Sequence, residues 1–150
     1  MKIVFGADHG GFELKESMKA HLAGKGFTVI DAGIHDTNAV DYPDIAKQAA
    51  DLFFTEKADT LILACGTGIG ISIAANKIKG IYCGLIYNEE TARLAREHND
   101  VNSLAFGGRQ IAPGLANRML DAFFGEKAST DERHERRRKK YKQLDAEGTR

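Results

Sequence analysis

The chain of 150 residues lacks the features that mark membrane, secreted and nucleic-acid-binding proteins. No run approaches the roughly 18 apolar residues of a membrane span, and residues 1–6 lack the long apolar stretch of a signal peptide. Its two cysteines lie in separate apolar runs and do not make a disulfide framework. The 21 basic and 21 acidic side chains balance, so no net charge attracts nucleic acid or membrane. We expect a cytoplasmic, reduced protein whose partner is a small molecule.

Short apolar runs alternate with amphipathic segments along the chain, without a linker or an internal repeat. The runs predict strands over Lys2–Ala7, Phe27–Asp31, Asp59–Ala64, Ile81–Tyr87 and Ser103–Phe106. Because these runs are apolar throughout, they suit a parallel sheet that is covered on both faces. The predicted fold class is α/β, a three-layer doubly wound (Rossmann-like) sheet of about five parallel strands in a single domain, residues 1–150.

The intervening segments carry the end signals of helices. Asp41 precedes Pro43, which places a cap and an N-terminal proline before an apolar stripe. Further helices are predicted over residues 88–98, 112–124 and about 130–144. Ser129 and Glu132 form a capping-box pattern ahead of the last helix, which is basic and completes the domain.

Cys65 is the most informative residue, because it lies between a buried strand and a glycine-rich turn, Gly66–Gly70, that opens into a helix. A thiol facing a helix N-terminus meets a partial positive charge and unpaired backbone N–H groups, which favour the thiolate. The same N–H groups can hold a substrate anion or an enolate oxygen. A base and an anion hole are thus predicted on one segment. The alternative is that Cys65 is a small buried hydrophobe, which is how we interpret Cys83.

Polar residues also collect near the ends of other strands, at the edge where doubly wound sheets bind ligands. Asp8 and His9 follow the first strand, His98 and Asn99 close a predicted helix, and Arg109 follows the last strand. We expect these side chains to share one site with the glycine turn, although His98 and Arg109 are less obviously on the same edge. Asp8 could instead cap the following helix, and His98 could be a cation at a helix C-terminus.

Residues 131–142 carry seven Lys or Arg side chains against three acidic ones. On a helix Arg133 and Arg137 share a face one turn apart, where their guanidinium groups could clamp one phosphate. Such a charge run could equally be a solvated face or a contact to nucleic acid.

A set of motifs occurs in order along the chain: Asp8-His9-Gly10-Gly11, Asp41-Tyr42-Pro43, residues 65–77, Arg96-Glu97-His98-Asn99-Asp100 and Phe106-Gly107-Gly108-Arg109, with a weaker match at Arg133-His134. Together they resemble the ribose-5-phosphate isomerase B family, which also includes galactose-6-phosphate and allose-6-phosphate isomerases. A lone glycine turn would be a weak signal, whereas the joint occurrence of these motifs is very specific.

The resemblance implies a metal-free aldose–ketose isomerase, with no cofactor, that interconverts ribose 5-phosphate and ribulose 5-phosphate in the pentose phosphate pathway. Cys65 would move the proton between C2 and C1, and His98 would open the furanose by acting on the ring oxygen. The enediolate would be held by the turn of Gly66, Thr67, Gly68, Ile69 and Gly70, including the Thr67 hydroxyl. One branch of the family uses a glutamate where Ile71 stands here, and isoleucine cannot take a proton, so the resemblance is to the cysteine type.

The resemblance also implies the substrate contacts. Asp8 and Asn99 would grip sugar hydroxyls, and Tyr42 would line the pocket. The phosphate would be surrounded by His9, Arg109, Arg133 and Arg137, with Arg136 as an alternative to Arg137.

A homodimer with shared active sites is a further implication, with His98, Asn99 and Arg109 reaching the pocket from the neighbouring subunit, and dimers could pair into tetramers. The preferred sugar phosphate stays open. Allose and galactose 6-phosphates have one carbon more than pentose phosphates between the reacting end and the phosphate. A non-catalytic module that binds a nucleotide or sugar phosphate is the other alternative. The dinucleotide fingerprint, however, follows the first strand, whereas these glycines alternate after the third.

Overall fold

The computed structural model describes residues 1–148, in which five strands and six helices alternate. The strands are β1 (Lys2–Ala7), β2 (Thr28–Asp31), β3 (Thr60–Cys65), β4 (Cys83–Leu85) and β5 (Ser103–Gly107). The helices are α1 (Phe12–Gly24), α2 (Tyr42–Thr55), α3 (Ile69–Asn76), α4 (Glu89–Glu97), α5 (Pro113–Phe124) and α6 (Glu132–Glu147). Residues 149 and 150, which the predicted domain included, lie outside the described residues.

All five strands are parallel and lie in the order β2-β1-β3-β5-β4. From β1 the chain winds outward to β2, and it then crosses to β3 on the other side of β1. The point where the winding reverses lies between β1 and β3, and ligands of doubly wound sheets bind at the carboxyl ends of such a strand pair. The predicted doubly wound fold is confirmed.

The sheet separates two apolar cores. Along β3, Leu61, Leu63 and Cys65 point into one core, and Ile62 and Ala64 point into the other. Helices α1, α4 and α5 cover the second core, whereas α2 and α3 cover the first. Because both faces of a central strand are buried, β3 is apolar from Leu61 to Cys65. Within residues 1–148, none of these helices is long and apolar enough to cross a membrane.

Two predicted boundaries are wrong. The fourth strand has three residues instead of the range Ile81–Tyr87, because it lies at the sheet edge and pairs with β5 alone. The capping box of Ser129 and Glu132 does not form. Instead Asp131 is the N-cap of α6, and its carboxylate accepts a hydrogen bond from the Arg133 amide at 3.0 Å. The carboxylate of the N-cap residue thus accepts from a backbone N–H of the first turn, which has no partner within the helix.

Candidate active site

The turns after β1, β3 and β5 meet at the carboxyl edge of the sheet. In the strand register Ala7 pairs with Ala64, and Cys65 pairs with Gly107. The carboxyl ends of β1, β3 and β5 therefore lie at nearly the same height along the sheet. Their turns form a cradle at the point where the winding of the sheet reverses.

Glycines allow these turns to approach one another backbone to backbone. A Cβ on Gly11 would lie 2.4 Å from the carbonyl carbon of Ala64, and a Cβ on Gly108 would lie 2.3 Å from the Gly10 oxygen. Real Cβ atoms essentially never lie so close to backbone atoms. The motifs Gly10-Gly11 and Gly107-Gly108 are therefore needed to build the cradle.

Asp8 holds the first turn and does not cap α1. Its Oδ1 accepts hydrogen bonds from the amides of Gly10 and Gly11, at 2.9 and 3.1 Å, and the residue is only 6% exposed. The N-cap position of α1 belongs to Gly11 and has no side-chain hydrogen bond. The alternative in which Asp8 caps that helix is therefore wrong.

Cys65 ends β3 and faces the start of α3. The Gly68 amide donates to the Cys65 Sγ at 3.2 Å, and the cysteine is 4% exposed. Gly68 adopts a left-handed conformation with φ of 79°, and a Cβ there would lie 2.8 Å from the carbonyl carbon of Phe106, so this position of the turn requires glycine. A hydrogen bond to an anionic acceptor is stronger than one to a neutral acceptor, so this geometry suits a thiolate.

Thr67 and Tyr42 flank the same turn. The Thr67 hydroxyl is exposed and accepts from the Ile69 amide at 3.2 Å. Tyr42, at the start of α2, lies over Gly70: a Cβ on that glycine would be 2.5 Å from the Tyr42 Cζ. The tyrosine ring therefore lies beside the glycine turn.

Two basic side chains complete this edge. The Arg109 side chain lies against Gly66: a Cβ on Gly66 would be 3.1 Å from the Arg109 Nη1. The Arg109 backbone amide also donates to the Gly66 carbonyl oxygen at 3.0 Å. His9 is exposed, and its Nδ1 accepts from the Val40 amide at 3.3 Å. A neutral His9 thus carries its proton on Nε2, as a donor. Contrary to the expectation that it comes from a neighbouring subunit, Arg109 already lies at its own chain's cradle.

His98 and Asn99 lie at the opposite edge of the sheet. Helix α4 starts beyond the carboxyl end of β4 and returns to the amino end of β5, and His98 is its C-cap residue. The following Asn102 side chain bridges Gly80 and Tyr82, which precede β4. One chain therefore does not bring His98 to Cys65, because a crossover helix spans the height of the sheet.

The arginines of α6 belong to this second group. Arg133 and Arg137 are exposed, and Arg136 pairs with Glu132 on the same helix at 3.8 Å. Arg138 points inward and donates to the carbonyl oxygen of His98 at 3.2 Å. The single site expected from the sequence is thus present as two separated halves.

A buried lysine, Lys15, was missed by the sequence analysis. Its side chain is fully buried, and its Nζ donates to Asp31 Oδ1 at 2.8 Å and to the Ile34 oxygen at 2.5 Å. Burial raises the pKa of Asp31, but hydrogen bonds from Lys15, Lys19 and the Gly33 amide lower that pKa by more. The pair anchors the loop that leads to Val40 and Tyr42. Its sequence signal is a lysine next to Leu14 on the apolar stripe of α1.

Cys83 is a partly buried free cysteine. It lies in the edge strand β4 and packs against one of the two cores. Burial raises the pKa of its thiol to about 12, although a hydrogen bond with Ser103 acts in the opposite direction. In the strand register Cys83 pairs with Ser103, the first residue of β5, so the thiol lies away from the cradle at the carboxyl edge.

A family profile described as Ribose/Galactose Isomerase matches residues 3–141. The chain belongs to this family. It is 47% identical to the ribose-5-phosphate isomerase B of Escherichia coli K12 over 124 residues, which cover 83% of each chain. It is also 40% identical to the galactose-6-phosphate isomerase subunit LacB of Clostridium acetobutylicum, over 85% of this chain and 73% of that one.

Solved structures of Ribose/Galactose Isomerase family members share the fold. The ribose-5-phosphate isomerase B of Clostridium thermocellum has a TM-score of 0.94 and 40% identity, and the match covers 99% of this chain and 100% of that one. The Mycoplasma genitalium protein, solved with bound ribulose 5-phosphate, has a TM-score of 0.90 and 36% identity, with 97% of both chains covered. This family member is therefore a sugar-phosphate isomerase by its relatives, its motifs and its fold.

Proposed function

We propose that this single-domain protein interconverts ribose 5-phosphate and ribulose 5-phosphate through an enediolate, with Cys65 as the base. The observation that carries the proposal is the Gly68 amide aimed at the Cys65 sulfur inside the glycine cradle. In the open aldose, the thiolate takes the proton from C2. It returns that proton to C1, while a proton moves from O2 to O1. The negative oxygens of the enediolate are held by the Thr67 hydroxyl and by those amides of the Gly66–Gly70 turn that do not donate to Cys65 or Thr67.

The phosphate is placed by the basic groups. Arg109 and the Nε2 donor of His9 lie at the cradle of one chain. Arg133 and Arg137, one turn apart on α6, add two guanidinium forks from a second chain. Asp8 uses Oδ1 within its own turn, so a sugar hydroxyl would be accepted by Oδ2.

The test is turnover of ribose 5-phosphate by the purified protein in the presence of a chelator, with Cys65→Ala beside the wild type. A positioned base contributes about 10²–10⁴-fold, so we expect the variant to lose at least a hundredfold. Cys83→Ala is the matched control and should keep wild-type turnover. Full activity in Cys65→Ala would show that another residue is the base. An inactive wild type would show that ribose 5-phosphate is not the substrate.

Galactose 6-phosphate is the second candidate substrate, since the LacB subunit of Clostridium acetobutylicum is 40% identical to this chain. Pentose and hexose phosphates share the reacting carbons and differ in the distance to the phosphate. A comparison of kcat/KM for ribose, allose and galactose phosphates decides between them, and we expect ribose 5-phosphate to be preferred by about 10- to 200-fold.

The proposal includes a homodimer with shared active sites, acting in the cytoplasm, where its two free cysteines stay reduced. Supporting observations are that Cys65 and His98 lie at opposite edges of the sheet, and that Ile69 and Ile73 beside the cradle are 49% and 57% exposed. A paired apolar patch of this kind is typical of a surface that a partner covers.

Hybrid dimers test the shared site. Cys65→Ala and His98→Ala proteins are each expected to be nearly inactive, and after subunit exchange the mixture should regain about a quarter of wild-type activity. Half of randomly mixed dimers are hybrids, and each hybrid has one intact site of its two. No recovery despite proven exchange would contradict shared sites.

A further inference from the structure

One face of α6 contacts the segment that contains His98 and Asn99. The face consists of His134, Arg138 and Tyr141, which are four and three residues apart and so lie one above another on the helix. We call these three side chains the contact face of α6. Each makes a different kind of contact to the end of α4.

The imidazoles of His134 and His98 stack on each other. Their ring centroids are 4.1 Å apart and their planes differ by 13°. His134 is 6% exposed and is the buried residue of α6, whereas the His98 side chain is 38% exposed. The buried ring therefore forms a fixed platform under one face of the more exposed ring.

The other two side chains bind the backbone at the end of α4. The Arg138 guanidinium donates to the carbonyl oxygens of His98 and Ser129, at 3.2 and 2.7 Å. The Tyr141 hydroxyl donates to the backbone carbonyl oxygen of Asn99 at 2.5 Å. The last carbonyls of a helix lack intrahelical donors, and a cation near them is favoured by the helix dipole. Helix α6 supplies both the donors and the cation.

We propose that the contact face of α6 is a positioning device that fixes the His98 imidazole and the Asn99 side chain for the neighbouring subunit's cradle. The inference rests on the proposed role of His98 in opening the furanose. An acid or base must be held within hydrogen-bond reach of the atom it serves, and a histidine at an exposed helix end would otherwise sample several rotamers. The stack fixes the ring plane, and the Arg138 clamp fixes the backbone from which the ring projects.

The same helix carries basic residues with two different roles. Arg133 and Arg137 each precede a member of the contact face, His134 and Arg138. Phosphate-binding side chains and the platform under His98 thus belong to one rigid helix. Arg138 binds the backbone at the end of α4, whereas Arg133 and Arg137 bind the phosphate.

The stack itself is tested by NMR of the histidine side chains, with His98 assigned through a His98→Asn variant. Ring stacking shields the His98 carbon-bound protons, so His134→Leu should move their resonances toward those of an exposed histidine. His134→Phe keeps a ring beneath His98 and should keep them shielded. Unchanged His98 resonances in His134→Leu would overturn the proposal, whatever the protein catalyses.

Kinetics then test the positioning role on ribose 5-phosphate. We expect His134→Leu and Arg138→Met to lower kcat by about 10- to 100-fold, as small misplacements of a reacting group do. KM should stay within about threefold, because Arg133 and Arg137 remain in place. His134→Phe should recover most of kcat, and Lys139→Met on the exposed side of α6 is the matched control.

The two proposals fail in different ways. If kcat is unaffected and KM alone rises, α6 merely anchors the phosphate arginines, and the positioning role is wrong. If the wild type does not turn over ribose 5-phosphate while His134→Leu releases the shielded resonances, the proposed substrate is wrong and the contact between the rings stands.

Discussion

The ammonium group of Lys15 lies 2.8 Å from Asp31 Oδ1, and the lysine side chain is fully buried. This ion pair lies under the loop that continues to Val40 and Tyr42, so it connects the interior to the rim of the cradle. Asp31 also pairs with Lys19 and accepts from the Gly33 amide at 2.8 Å. The carboxylate is thus the centre of a small network.

We predict that Asp31→Asn lowers the free energy of unfolding by about 3 kcal/mol, because it leaves the buried Lys15 charge with only the partly exposed Glu16 carboxylate, at 3.4 Å, as a counterion. Urea denaturation of the variant and the wild type measures the difference. The exposed pair of Lys47 and Asp51 is the control, and Asp51→Asn should cost less than about 1 kcal/mol. Equal losses in the two variants would contradict a special role for the buried pair.

The contribution of Asp31 should also depend on pH in a defined direction. Its pKa in the folded protein is lower than the ordinary value of 3.8, so the folded state binds fewer protons near that pH. The pair therefore stabilises the fold fully above about pH 4 and loses this effect as pH falls toward the folded pKa. The free energy of unfolding of the wild type and of Asp31→Asn should be measured between about pH 2 and 6. The difference between the two proteins should shrink only at the acidic end of this range. A constant gap would contradict the lowered pKa.

Two glycine substitutions should separate stability from substrate binding. A Cβ on Gly11 meets the Ala64 backbone, which cannot move, so Gly11→Ala should lower the free energy of unfolding by about 1–3 kcal/mol or more. A Cβ on Gly70 meets the partly exposed Tyr42 ring, which can swing away.

Gly70→Ala should therefore leave stability within about 1 kcal/mol of the wild type and raise KM for the sugar phosphate. Thermal unfolding and steady-state kinetics on both variants check this pair of outcomes. A large loss of stability in Gly70→Ala would mean that Tyr42 is held more firmly than its exposure indicates.

Cys83 should resist alkylation in the native protein. Burial raises its pKa to about 12, so at pH 8 very little of the thiol is ionised and able to react. Mass spectrometry after brief iodoacetamide treatment should find the Cys83 peptide unmodified until the protein is unfolded in urea. Labelling of native Cys83 at the unfolded rate would show that β4 opens to solvent.

The local pattern of the sequence predicted most of the fold because both faces of the central strands are buried. Strand β1 occupies Lys2–Ala7 as expected, and β5 extends only one residue further than expected. The edge strand β4 is shorter than its apolar run, since the run continues past the residues that pair with β5. Side-chain caps were less predictable, because Ser129 and Asp131 both offer acceptors near the start of α6, and Ser129 bonds the Asp131 amide while Asp131 bonds the Arg133 amide.

Asp8 and Cys65 of the cradle were predictable because they lie at, or just after, the carboxyl end of a strand. Asp8 and Cys65 are brought together by strand order alone, because parallel strands present their carboxyl ends at one edge. Lys15 was missed because a lysine on an apolar stripe is indistinguishable from a surface residue until its partner, Asp31, is found 16 residues away.

The sequence by itself determined the class of fold, the glycine cradle around Cys65 and the family to which the chain belongs. These depend on interactions between residues close in sequence, such as the Gly68 amide and the Cys65 sulfur. Only the tertiary structure decided that Arg109 lies beside Gly66 while His98 lies at the far edge against His134. The direction in which α4 crosses the sheet, and the face that α6 turns toward its end, follow from packing between elements distant in sequence.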